Sequence, residues 1–307
     1  GLTFLFLYNI CTGVFTALGD SRTPLYFLIA SSLANIVMDV VFVVCFHMGV
    51  GGVAWATFLC QGVASVLAAW TLFRRLRGVP APERHPLFSW RMLGRIARIA
   101  VPSILQQSFI SVGNLFIQSL VNSFGSAVVA GYSAAVKLNT FALTGFTTLG
   151  NGLSSFTAQN IGAGRPERVK QGFRAGAGMT LCVAVPFIAA FVFAGPQMVR
   201  LFLSAPSADA LAQGTLFLNI VAPFYVLISL KLAADGVLRG AGCMGQFMTA
   251  TFTDLILRVI LAFLLAPRFG AAGIWMSWPL GWAVAAALSL GFYFTGGWRK
   301  RVGSIDK

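Results

Sequence analysis

Asn35 and Asp39 stand four residues apart in an apolar stretch, so on a helix they share one face about 6 Å apart along the axis. Thr57 falls six residues into the next apolar stretch, and Asn9 lies near the middle of the preceding one. At 1.5 Å per residue, Asp39 lies roughly 12 Å and Thr57 roughly 9 Å in from the same side, so neighbouring helices would bring these groups to similar depth. A carboxylate among amide and hydroxyl oxygens suits Na+, which takes oxygen ligands. It equally suits a proton, because burial away from water favours the neutral acid. An ionisable side chain in hydrocarbon costs about 2.5–3.5 kcal/mol on insertion scales, so it is normally paired or functional. Asp39 has no basic residue within its own stretch or the next one. The plain alternative is a protonated Asp39 hydrogen-bonded to Asn35 for helix packing.

The later half of the chain offers other polar groups. Lys231 with Asp235, and Asp254 with Arg258, are each spaced i,i+4. Each pair reads as an intrahelical ion pair that lowers the cost of burial, or as a second relay or a cavity charge. Asp235 is expected near an inner helix end, within reach of water. Lys137 is deeper and has no sequence-local partner, which makes it a candidate gate or a partner for an acid on another helix. Gln107, Asn114 and Gln118 nearly share a face, with Gln106 beside them; they either line a water-filled cavity or bond neighbouring helices. Enzyme chemistry finds no support. The two histidines, His47 and His85, belong to no metal spacing or Ser/His/Asp arrangement, and no P-loop is present. Cys11, Cys45, Cys60, Cys182 and Cys243 show no CxxC or Cys/His pattern, so neither a disulfide framework nor a zinc site is expected; they read as small buried hydrophobes. No cofactor is expected, and no metal beyond an Na+ at Asp39.

The elements that must hold these residues follow from composition. Of 307 residues 57% are hydrophobic and 10% charged, against roughly 45–50% and 25% in soluble domains. An all-α integral membrane protein is therefore expected. The net charge of +14 does not point to nucleic acid, since no soluble domain is there to carry a groove. Nine stretches are long enough to span or nearly so: 1–18, 25–47, 51–73, 96–122, 126–161, 176–199, 211–238, 246–267 and 271–296. If the first break is cytoplasmic, the inner connections hold Arg22; Arg74, Arg75, Arg77, Arg84, Arg91, Arg95 and Arg98; Arg165, Arg168, Lys170 and Arg174; Arg239; and Arg299, Lys300, Arg301 and Lys307. Only Arg200 and Arg268 fall outside, which is the positive-inside bias and puts the C-terminus in the cytoplasm. These arginines read as retention signals and contacts to anionic lipid.

Residues 78–95, with Pro80, Pro82 and Pro86, read as a cytoplasmic linker. Residues 1–77 would be the end of an N-terminal lobe, and 96–307 a C-terminal lobe of six helices with a basic tail. An internal repeat supports two lobes: with Gly19 laid on Gly242, Asn35 falls on Arg258, and both copies run glycine turn, helix, short glycine turn, helix. The repeat is parallel, as in some transporters. Equal halves would place three more helices ahead of Gly1, twelve in all.

Tyr8-Asn9 with the run Ala17 to Pro24, the run Gln159-Asn160-Ile161-Gly162-Ala163-Gly164, and the turn Arg239-Gly240-Ala241-Gly242 resemble the MATE (multidrug and toxic compound extrusion) transporters across the whole chain. The resemblance implies two six-helix lobes, here without the first three helices. It implies H+ or Na+ entry driving export of drug-like organic cations or metabolites by alternating access, and a cation site at Asn9, Asn35, Asp39 and Thr57 completed by an Asp on the family's first helix. It also implies a multi-pass cell-membrane protein, here read as a monomer whose partners are lipids and a small organic substrate. Two alternatives stand beside it, a lipid-linked-oligosaccharide flippase of the same superfamily and a non-transporting truncated membrane protein.

Overall fold

A computed structural model describes residues 1–78, 88–203 and 207–301. Arg84, His85 and Lys307, with the rest of 79–87 in the expected linker, lie outside the described residues. The chain divides into two compact units, Gly1–Phe88 and Ser89–Lys307.

Unit 1 holds α1 (Leu2–Ala17), α2 (Arg22–Val40), which widens into a π turn at Val41–Cys45, and α3 (Gly49–Leu76). α1 and α2 both pack on α3, around Cys11, Phe15, Ala68 and Leu72. Tyr8 OH donates to the Pro24 carbonyl at 2.9 Å and so ties α1 to the start of α2. The remaining apolar surface is broad. Leu33, Ile36, Val37, Val66 and Trp70 are all exposed, as expected for helices whose solvent is lipid.

Unit 2 holds α4 (Trp90–Asn122), α5 (Ser126–Gly162), α6 (Pro166–Leu201), α7 (Ala208–Val221), α8 (Tyr225–Gly240), α9 (Met244–Phe269) and α10 (Ala271–Phe294). α5 is central and packs on α6, α7 and α8; α10 runs along α9, and α4 packs on α9. The core is aromatic. Tyr132 stacks on Trp275 with centroids 4.9 Å apart, and Phe217 meets both edge-on. Ser89 caps α4 and Ser207 caps α7, each accepting from the amide three residues on.

Each expected span falls on helix, with one break. The stretch 211–238 is split by a 3-10 turn at Ala222–Phe224, where Pro223 supplies no amide hydrogen to the ladder. Pro102, Pro186, Pro196, Pro267 and Pro279 sit inside helices that continue. Seven helical stretches are long and apolar enough to cross a membrane. α1 is apolar but has only 16 residues. α5 has 37 but is not among the seven; it buries polar groups such as Asn139, Thr157 and Asn160 against its neighbours rather than offering an apolar face to lipid.

The three family-like motifs share one backbone geometry. Gly19, Gly164 and Gly242 have φ of +82°, +68° and +72°. In each case the glycine N–H donates to the carbonyl three residues back, and the next residue donates five back: Asp20 to Phe15, Arg165 to Asn160, Cys243 to Leu238. That is the Schellman helix ending, where an L side chain would be strained. The motifs are therefore stops that aim one helix into the next.

The repeat is visible in the same terms. α2–α3 and α9–α10 each begin after a left-handed glycine and turn on another, Gly49 and Gly270. The first copy has two more residues between its glycines, and these fall where the helix widens at Val41–Cys45 and His47 turns with φ +52°. One expectation needs correction. Only Cys11 and Cys243 are buried, while Cys45 and Cys182 are exposed; on a membrane helix, hydrocarbon outside accepts a thiol as readily as the core does.

Candidate functional site

Two separate sites emerge, one in each unit. In unit 1, α2 and α3 bring Asn35 and Thr57 together: Asn35 Nδ2 donates to Thr57 Oγ1 at 3.5 Å, and Thr57 Oγ1 donates to the Val53 carbonyl at 2.9 Å. They line a groove of about 170 Å³ with Tyr8, Ser31, Ser32 and Gln61. Asp39 sits one turn along α2 from Asn35. Its Oδ1 is buried with no hydrogen-bond partner among the described residues, and no ion pair there reaches it. Asn9 is exposed on α1 and is not among the residues lining the groove. Tyr8, Ser31, Ser32 and Gln61 were not singled out from sequence. Ser31 and Ser32 precede Asn35 by about one turn, which was the available signal.

Charge at the other end of unit 1 is structural. Asp20 accepts from the Arg22 and Thr23 amides and from the Thr23 hydroxyl, and it pairs with Arg75 of α3. Thr23, ahead of the Arg75 guanidinium, holds the Asp20 carboxyl below the usual carboxylate range. This clasp fixes the turn that starts α2.

The site in unit 2 is a cavity of about 630 Å³ among α4, α5, α8, α9 and α10, within the range that holds a drug-sized molecule. Gln106, Gln107, Asn114 and Gln118 of α4 all line it, so that face belongs to the cavity; Gln118 also donates to Asn122 at 2.9 Å. Lys231, Asp235 and Arg239 recur every four residues on α8 and form a second wall. Lys231 Nζ lies 2.7 Å from Asp235 Oδ2, with both side chains about 5% exposed or less. Ser289 of α10 donates to the other carboxylate oxygen at 2.6 Å. Asp235 was expected near water; it is 3% exposed because α10 closes over it. Arg239 donates to Asn151 of α5 and lies over the Phe247 ring at 5.7 Å.

Asp254 and Arg258 on α9 form a third wall. Their closest approach is 3.8 Å, Arg258 Nη2 to Asp254 Oδ2. The Arg258 guanidinium lies 4.7 Å from the Trp278 ring centroid, and its Nε and Asp254 Oδ1 are both buried without hydrogen-bond partners among the described residues. α10 can pass this close because residue 281 is glycine: a Cβ there would meet Asp254 Oδ1 at 2.6 Å. Lys137 is exposed on α5 and does not line the cavity. Asn139 does; its carbonyl oxygen accepts from the Tyr225 hydroxyl at 2.8 Å in the buried core. No local pattern pointed to the Asn139–Tyr225 or Asp235–Ser289 pairs, whose members lie 86 and 54 residues apart.

Chemically, the unit 1 groove offers neutral amide and hydroxyl groups, with Asp39 one turn away on α2 and not among its lining residues, and the unit 2 cavity offers charged groups against aromatic rings. No cluster of His, Cys, Asp or Glu that could hold a metal ion occurs among the described residues.

Comparison with known proteins agrees with this architecture. The pattern of the MatE family matches residues 102–264. The Probable multidrug resistance protein YpnP of Bacillus subtilis is 31% identical over 97% of this chain and 66% of its own length. The Probable multidrug resistance protein NorM of Thermotoga maritima is 25% identical over 92% of the chain and 62% of its own. A FAD transporter of Shewanella oneidensis is 28% identical over half of the chain and 35% of its own length. The chain thus spans about two thirds of the length of the first two. Among solved structures, an outward-facing multidrug resistance MATE family transporter of the MOP superfamily superposes with TM-score 0.84 at 23% identity, over 97% of this chain and 66% of that one. A MOP superfamily transporter from Pyrococcus furiosus superposes with TM-score 0.85 at 23% identity, over 98% and 67%.

Proposed function

The chain belongs to the MatE family of multi-pass membrane transporters, which are not enzymes, and we propose that it works as a secondary antiporter at the cell membrane. It exports drug-like organic cations or metabolites in exchange for H+ or Na+ by alternating access, as a monomer with its C-terminus in the cytoplasm. The relatives named for multidrug resistance support export of small organic compounds. Exposed apolar faces on both units support direct contact with lipid.

The observation that carries the reading is Asp39. Its carboxylate has one oxygen buried and without a partner among the described residues, one helical turn from an Asn35–Thr57 pair that can turn oxygens toward a cation. A buried carboxylate left without a partner is costly, and H+ or Na+ relieves that cost. Occupancy would then favour one packing of α1, α2 and α3 over another, which is the differential affinity that a conformational cycle requires. Asn35 and Thr57 are the nearest neighbours in this scheme, and Asn9 approaches only in another packing of the helices.

The test is Asp39→Asn in the protein expressed from its native gene, assayed by ethidium efflux from membrane vesicles under imposed H+ and Na+ gradients. The wild type transports and the variant does not, at equal membrane abundance. Transport by Asp39→Asn at the wild-type rate overturns the assignment.

A further inference from the structure

We propose that the cavity of unit 2 binds an aromatic compound carrying a single carboxylate, with Arg258 as the residue that holds the carboxylate. The idea rests on the transport reading for its biological purpose, but the binding itself does not.

Charge is the first argument. The cavity wall carries Lys231, Arg239 and Arg258 against Asp235 and Asp254, one positive charge in excess. Lys231 and Asp235 cancel each other at 2.7 Å, and the second oxygen of Asp235 is taken by Ser289. That carboxylate is not available to a ligand cation. Arg239 bonds a neutral amide and lies over a ring, and the acid that it feels, Asp235, is already held by Lys231 and Ser289. An organic cation entering this space adds to the excess, whereas a monoanion brings the wall to neutrality.

The second argument is the state of Arg258. Its side chain is 9% exposed, yet among the described residues its one carboxylate stands 3.8 Å away and its Nε has no hydrogen-bond partner. A guanidinium has five donors in a planar fork matched to a carboxylate. Burying it this far below its bonding capacity is expensive, and a ligand carboxylate can supply the missing acceptors to the Nη atoms. Trp278, already under the guanidinium at 4.7 Å, and Trp282 and Tyr132 also line the cavity. They make the lining around the guanidinium aromatic, which suits an aromatic body. Asp254 then competes with the ligand for Arg258.

The experiment is isothermal titration calorimetry on the detergent-solubilised chain with three probes: 1-naphthoate, its neutral amide 1-naphthamide, and tetraphenylphosphonium. Naphthoate is expected to bind at least about tenfold more tightly than naphthamide, and tetraphenylphosphonium more weakly than either. Arg258→Gln should erase the naphthoate preference, and Asp254→Asn should strengthen naphthoate binding by removing its competitor. A merely structural Arg258–Asp254 pair would give the opposite or no effect in Asp254→Asn. Equal binding of naphthoate and naphthamide, tighter binding of tetraphenylphosphonium, or a naphthoate preference that survives Arg258→Gln overturns the proposal. The first comparison uses the unmodified chain, so it decides even where a variant fails to fold. No ion gradient is involved. Binding without transport would remove the antiport reading alone, and cation transport through Asp39 without anion binding would remove this one alone.

Discussion

Replacing Asp235 by Asn removes one charge from the interior of unit 2 while keeping an oxygen that can accept from Ser289. The ammonium of Lys231 lies 2.7 Å from the carboxylate that is lost, with its side chain 4% exposed. At an effective dielectric of about 20, Coulomb's law gives roughly 6 kcal/mol of attraction at that distance. Part of this offsets the desolvation of the two ions, so the whole is not net stability. What Asp235→Asn leaves behind is a buried cation without its counter-charge, and breaking such pairs typically costs about 3–5 kcal/mol. With roughly 2–4 °C of melting temperature per kcal/mol for a unit of this size, the detergent-solubilised variant should melt about 6–20 °C below the native chain. The double variant Lys231→Met with Asp235→Leu removes both charges at similar volume and should recover most of that loss, because the desolvation cost disappears with the pair. Thermal unfolding followed by circular dichroism measures all three. A single variant that melts with the native chain, or a double variant no better than the single, would refute the claim that α8 is held by a mutually dependent buried pair.

Tyr225→Phe should destabilise unit 2 by about 1–3 kcal/mol, since it leaves the Asn139 carbonyl oxygen buried without its donor; a double change with Asn139→Leu should restore part of it, and an unchanged melting temperature in Tyr225→Phe would show the bond to be dispensable. The Asp20 clasp predicts a pH signature. Its carboxyl is held below its unfolded value by Thr23 and Arg75, so its contribution is fully present above about pH 4 and is lost as pH falls through the lower folded value. The melting-temperature gap between the native chain and Asp20→Asn should therefore be constant from neutral pH to about 5 and close below about pH 4. A gap that is pH-independent down to pH 2 would mean that the charge of Asp20 does no stabilising.

Much of the fold was legible because it is written locally. A span needs a run of apolar residues, and a helix stop needs a residue that tolerates positive φ, so the nine stretches and the turns at Gly19, Gly164 and Gly242 stood in plain view. The i,i+4 spacing likewise announced Lys231–Asp235 and Asp254–Arg258, since helical pitch alone brings such residues within reach. The sequence showed six prolines in the later spans but not which of them would interrupt a helix; only Pro223 coincides with a 3-10 turn. Lys137 looked like a gate because it was deep in a span with no local partner. The rotation of α5 leaves it exposed and outside the cavity wall.

By itself the sequence determined the class of molecule, its segmentation and the residues whose charge needs explaining, because hydrophobicity and helical period act over a few turns of one chain. Only the tertiary structure decided that Ser289 closes over Asp235, that Tyr225 reaches Asn139, and that Arg258 faces a cavity on a tryptophan while its carboxylate stands off at 3.8 Å. Those outcomes depend on how each helix is rotated about its axis and how closely small residues such as Gly281 let it approach. A few degrees of rotation or an ångström of separation changes the partner, and no pattern within a single helix fixes either.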